Sequence, residues 1–341
     1  MNLSMGRFIL RRLILMAFML IGLLAITFVI SHIAPSDPAS LAAGPDADTE
    51  MIERYRVEYG LDQPVYVQFG NYISRLLSGN WGTSILTTRS VAQDLLVYFP
   101  NTLELVVFSI GIAIILGIPL GVTAAFFQNK WVDHVIRILT VSGVAMPMFW
   151  LGLMLQLYFA LHLGWFPLGG RMNMMTDPPE AITHLLIVDS LLRGEFGTAA
   201  EALHHIVLPA VALCFPALAS IIRVNRAEML ETLKQDHITN AMAHGIAMGR
   251  IITVYALKNA MLPTMAMVGL RFGWMLGGTV LVETVFDWPG IGLYAVQAAI
   301  SSDFEPIMGA TIVLGVLFMF TNLVIDITYM ILDPRLKGDS L

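Results

Sequence analysis

A chain of 341 residues that is 57% hydrophobic and only 13% charged, with a mean hydropathy of +0.73, is too apolar for a water-soluble domain, where about a quarter of residues carry charge. The same figures exclude a disordered chain, and a lone cysteine, Cys214, excludes an intrachain disulfide framework. A net charge of -6 with 19 basic residues leaves no basic face for nucleic acid, so the surrounding partner is membrane lipid.

A hydrocarbon core of about 30 Å takes roughly 20 apolar residues of helix. The first such segment, Leu13 to Ser36, follows Arg7, Arg11 and Arg12. Its apolar run exceeds the roughly 7 to 15 residues of a signal core, so it reads as a retained anchor. Residues 37–100 open on turn-forming residues, and apolar spacing then predicts short helices over Thr49 to Tyr59 and Val65 to Leu77, lying across the outer face. Leu105 to Asn129 and Ile138 to Gly170 are the second and third spans. Residues 164–204 read as part loop and part helix, and Ala202 to Ile222 is the fourth span. Asn259 to Val282, interrupted only by Arg271, is the fifth, and Pro306 to Ile325 the sixth.

The fold class is therefore an all-α polytopic membrane protein with six transmembrane helices. Basic residues stay with the cytoplasm near span ends. Twelve of the nineteen lysines and arginines fall at the termini, at 130–137 and at 223–258, against six in the longer alternate loops. Both termini are expected in the cytoplasm.

Arg223 to Lys258 is too long for a turn and too polar to span. Met229, Leu233, Ile238, Ala241 and Met242 recur at helical spacing and Gly245 closes the run, which predicts helix, turn, helix. Such a hairpin either packs on the protein's own spans or enters a partner's groove.

The stretch RAEMLETLKQDHITNAMAHGIAMGRIITVYALKNAMLP, Arg226 to Pro263, resembles the cytoplasmic signature loop of ABC importer permeases of the dipeptide and oligopeptide branch. The likeness continues in NWGTS (Asn80 to Ser84), MPMFW (Met146 to Trp150), HIVLPA (His205 to Ala210) and ETVFDWPGIG (Glu283 to Gly292). It extends to the SDP after the first span and to Asp333 to Arg335, so it covers nearly the whole chain.

The resemblance implies the type I importer permease fold. Residues 1–100 would form an N-terminal helix plus extracytoplasmic region, and 101–341 a five-helix core that includes the 223–258 loop. It implies half of a translocation pathway for dipeptides or oligopeptides in a bacterial inner membrane. The partners would be a homologous second permease, two ATPase subunits carrying ATP and Mg, and an extracytoplasmic solute-binding protein. Similar permeases move nickel, glutathione, haem or oligosaccharides, so cargo stays open; an ion-coupled secondary carrier is the distant alternative. The coupling helix falls on Asp236, His237, Ile238, Thr239, Asn240, Ala241, Met242, Ala243, His244 and Gly245. Ala241 and Gly245 match small positions, where a side chain would hold helices apart. Thr239 and Asn240 replace the acidic residue and first alanine of the generic motif.

No Gly-Lys pair occurs, so the chain lacks the loop that holds nucleotide phosphates, and no catalytic constellation is visible; it reads as a transport subunit, not an enzyme, without a cofactor of its own. The adjacent His204 and His205 and the methionines near Arg171 are not spaced as metal ligands. A centred arginine costs about 2.5–3.5 kcal/mol to insert, so Arg271 should face a cavity or partner and is the candidate for the translocation path. Asp326 is expected to pair with Arg223 or Arg226, and Glu283 to brace the outer end.

Overall fold

The computed structural model describes residues 3–33, 47–58, 62–173 and 175–332. The SDP and Asp333 to Arg335 motifs lie outside these. In chain order the helices are α1 (Leu3–Ile33), α2 (Thr49–Glu58), α3 (Val65–Leu77), α4 (Val91–Phe126), α5 (Trp131–Ala145) and α6 (Met148–Leu155). A π-helical segment, Gln156–His162, extends α6 and is followed by α7 (Leu186–Leu192), α8 (Phe196–Thr232) and α9 (Asp236–Ala243). A single turn, Met248–Arg250, and a second π segment, Ile251–Ala256, lead into α10 (Leu257–Val285). The last helices are α11 (Ile291–Ile300) and α12 (Phe304–Leu332).

Among the described residues, five helices are long and apolar enough to cross a membrane, six if a bent pair counts as one span. That pair corrects the third expected span. Between α5 and α6 the axis turns by 108° at Met146 and Pro147, because proline offers no N–H to the preceding turn and pushes the residue before it into extended backbone. The helical part ends at His162, eight residues before the predicted Gly170. The other spans are longer than charge-free runs suggest. Helix α4 starts fourteen residues before Leu105 and α8 runs ten beyond Ile222, since charges stop a hydropathy window but not a helix.

The chain divides into two compact units, Met1–Pro100 with Pro289–Met319 and Asn101–Trp288 with Phe320–Leu341. In the first, Leu24, Phe28, Tyr72, Met308 and Ile312 form one apolar cluster, and Val91, Leu95, Ile291, Tyr294 and Ala310 another. Polar bonds fix the loop between them. Asp303 accepts from the Ser84 hydroxyl and the Ile85 amide, both at 2.7 Å, while buried Asp94 pairs with Arg89 and accepts from the Tyr294 hydroxyl. The NWGTS motif is therefore structural: Asn80 caps the Gly82 amide, Trp81 packs on the apolar clusters and Ser84 is buried.

In the second unit α8 is the central element, packed against α5, α6, α7 and α10. Gly117 and Gly121 let α4 close on it, because a Cβ there would lie 2.8 Å from Ile221 and 2.7 Å from Asn225. These glycines serve close approach.

Candidate functional site

Helix α9 starts after Gln235, whose backbone is extended, with Asp236 in its first turn, where a negative charge suits the helix dipole. It stops by geometry. The Ile246 amide bonds to the Ala241 carbonyl and the Gly245 amide to that of Met242, a Schellman closure that needs positive φ, supplied by Gly245 at +74°. A Cβ on Gly245 would meet nothing within 4 Å. Glycine is thus required here for its backbone conformation, and the expectation of close helix contact is corrected. At Ala241 the small side chain does face a packed neighbourhood.

Only one edge of α9 is anchored. Ile238 and Ala241 enter a cluster with Met229, Ile251, Ile252, Ala256 and Ala260, and Asn259 bonds to the His237 ring at 3.3 Å. Thr239, Asn240, Met242, Ala243 and His244 are exposed, with Met242 at 43%. The result is a firmly seated two-turn helix with a broad outward face. The hairpin reading needs one change: Arg223 to Thr232 is the end of α8, not a separate helix.

The base of this element is tied to its neighbours by buried polar contacts. Arg226 of α8 makes two bonds of 2.7 Å to Asp133 of α5, which is fully buried and also accepts the Asn129 amide. Arg226 therefore pairs with Asp133 and not with Asp326. One residue earlier, Asn225 donates to Thr264 of α10 at 3.1 Å, with both side chains buried.

Arg271 stands midway along α10, fourteen residues from each end. Its Nε is buried with no hydrogen-bond partner, and no acid among the described residues pairs with it. On the same helix Leu270, Trp274 and Leu281 are exposed.

Residues 117–338 match the family described as binding-protein-dependent transport system inner membrane component, and 5–106 match the N-terminal region of such membrane components. The chain belongs to this family. Its relatives include the probable D,D-dipeptide transport system permease protein of Escherichia coli, 43% identical over 92% of this chain and 93% of that protein. The dipeptide transport system permease protein of Alkalihalophilus pseudofirmus is 39% identical over 96% and 98%. The glutathione transport system permease protein of Salmonella choleraesuis is 32% identical over 98% and 99%.

The permease also carries a buried polar network that charge counting could not separate from ordinary loop residues. Arg171 pairs with Glu104, donates to Asn101 and lies over the Trp288 ring, whose Nε1 donates to the Asn101 carbonyl at 2.9 Å. His205 bonds to the Gly169 and Gly170 carbonyls and His204 to that of Trp165, so both rings hold the 164–170 segment. Gly169 is sterically required, since a Cβ would sit 2.3 Å from the Phe286 carbonyl oxygen. Glu283 accepts from Thr102 at 2.8 Å and is fully buried. These residues are legible only after folding, because their partners are distant in sequence.

Asp189 of α7 shows the same logic in a segment outside the spans. Burial alone would raise its pKa, but the Thr183 hydroxyl and amide and the Ile182 amide, at 2.6 to 3.1 Å, hold the carboxyl below its ordinary range. Its charged form stabilises the fold above about pH 4, and this is lost as pH falls through the lowered folded value. Pepsin cleavage within 180–186 should therefore rise in acid below about pH 4, the unperturbed carboxylate value. Asp189→Asn should raise cleavage at higher pH and flatten that dependence.

Proposed function

We propose that this permease forms half of the translocation pathway of an importer for dipeptides or short peptides, driven by ATP hydrolysis on separate subunits. A homologous second permease completes the pathway, two ATPase subunits carry ATP and Mg, and an extracytoplasmic binding protein delivers cargo. Both termini and α9 face the cytoplasm, and the chain has no catalytic activity of its own. Residues 1–100 act as an appended region on a 101–341 core.

The observation that carries the reading is the seating of α9. Two inward side chains fix it to the spans while five outward ones stay available for a groove on an ATPase. Docking there transmits the ATPase closure to α8 and α10, which flank α9 in sequence. Arg271, half-way along α10, lines the path. ATP and loaded binding protein must both favour the outward-facing state, since a ligand shifts an equilibrium only by its differential affinity.

Two relatives named for dipeptides, at 43% and 39% identity, support peptide cargo. The relative named for glutathione, at 32%, supports a second reading in which that tripeptide is carried. The test is reconstitution of the permease pair, ATPases and binding protein in proteoliposomes. ATP-dependent uptake of alanyl-alanine is expected; uptake without nucleotide, or a permease that purifies without an ATPase, would defeat the proposal.

A further inference from the structure

The second unit neutralises two of its partly buried arginines internally: Arg226 on Asp133 and Arg171 on Glu104. Arg271 and Arg223 are treated differently. Neither has an acidic partner among the described residues, and the buried Nε of Arg271 has no acceptor at all.

Their spacing follows from helix register. Helices α8 and α10 run antiparallel, with Asn225 bonded to Thr264, and Leu213 beside the point where Gly278 would carry a Cβ. This register sets Ala219 about level with Arg271, and Arg223 one turn further along α8, about 6 Å in axial rise. The same register puts Arg223 and Arg271 on neighbouring turns of packed helices. Two like charges repel one another, and the partly buried Arg271 is costly to desolvate, while Arg223 is exposed. No acid among the described residues pairs with Arg271, so the anion that would satisfy its buried Nε comes from outside the chain.

We propose that Arg223 and Arg271 form a carboxylate-selecting station in the pathway, which favours cargo of net negative charge and disfavours cationic cargo. The proposal rests on the reading that this chain lines a peptide pathway. It goes beyond it by giving the permease a selectivity of its own, added to that of the binding protein. In this arrangement Arg271 supplies the mid-membrane charge, and Arg223 extends the favourable potential one turn along the bundle.

The test uses the complete transporter in proteoliposomes with alanyl-glutamate, alanyl-alanine and alanyl-lysine. Each is supplied on saturating loaded binding protein, so that the binding protein's own preference drops out. The expected order of maximal rates is glutamate, alanine, lysine. Adjacent cargoes in this order should differ on the order of tenfold, the factor given by unit charges about 12 Å apart at an effective dielectric of about 20, and the ends on the order of a hundredfold. Arg271→Gln should collapse the order, Arg223→Gln should compress it, and Arg271→Lys, which keeps the charge, should retain it.

Equal rates for the three cargoes in the unmodified transporter would overturn the station. So would an equal loss for all three in an Arg271→Gln complex that assembles normally. Dissociation of the second permease from that variant would place the compensating acid on the partner and overturn it as well. If the unmodified transporter takes up none of the dipeptides, the dipeptide reading fails by itself. The station is then read from glutathione against its neutral monoethyl ester: loss of anionic preference in Arg271→Gln supports it, and unchanged discrimination overturns it.

Discussion

Met242→Asp is expected to abolish ATP-driven uptake while leaving the permease folded. The side chain is 43% exposed on the outward face of α9, whereas the contacts that seat this helix come from Ile238 and Ala241. The variant should therefore insert and purify normally. On the proposed docking face, a charge in place of an apolar anchor falls in the range of hot-spot losses, about 2 kcal/mol or more of binding. Co-purification of the ATPase is the first readout and nucleotide-dependent uptake the second. A variant that retains both would remove the coupling role from α9. Gly245→Val provides an independent arm. A β-branched residue at φ +74° costs about 1–2 kcal/mol and strains the turn that closes α9. Its ATPase can still bind, but transport per ATP hydrolysed should fall, because the helix end is no longer held in one geometry.

The second large effect is expected at the Asp133–Arg226 pair. Asp133→Ala leaves a guanidinium without its partner among packed helices, and breaking a buried pair in this way costs about 3–5 kcal/mol. With 21% of the Arg226 side chain exposed, solvent recovers part of this, and about 2–3 kcal/mol is the expected loss. Thermal unfolding of the purified complex in detergent gives the measurement. Asp133→Asn should be milder, since it still accepts the Asn129 amide. The exchange Asp133→Arg with Arg226→Asp should recover part of the loss. No recovery, with each single variant equally unstable, would mean that volume and not charge pairing holds α5 to α8. Arg226 lies ten residues before α9 along the chain, so a loss of transport larger than the loss of stability is also expected.

Much of the membrane architecture follows from hydropathy alone. A run of some twenty apolar residues has no favourable place outside lipid, and a backbone in lipid must satisfy its own hydrogen bonds, so spans and their helical form go together. Five of the six spans were placed this way, as were the two short helices at 49–58 and 65–77. The short helix at 236–243 was legible too, because its apolar spacing and terminal glycine are local signals. The break at Pro147 left only a weak trace: proline is tolerated inside α8 at Pro209 and Pro216 and in α10 at Pro263, so its presence does not by itself announce a 108° turn.

Local composition thus determined that this chain spans a membrane in helices and offers a short amphipathic helix between two of them. Which charges are matched was decided only by the tertiary structure. Asp133 finds Arg226 across 93 residues and Glu104 finds Arg171 across 67, while Arg271 finds no acid among the described residues. Hydropathy depends on what each residue is, whereas the electrostatic role of a buried charge depends on what folding brings within a few ångströms of it.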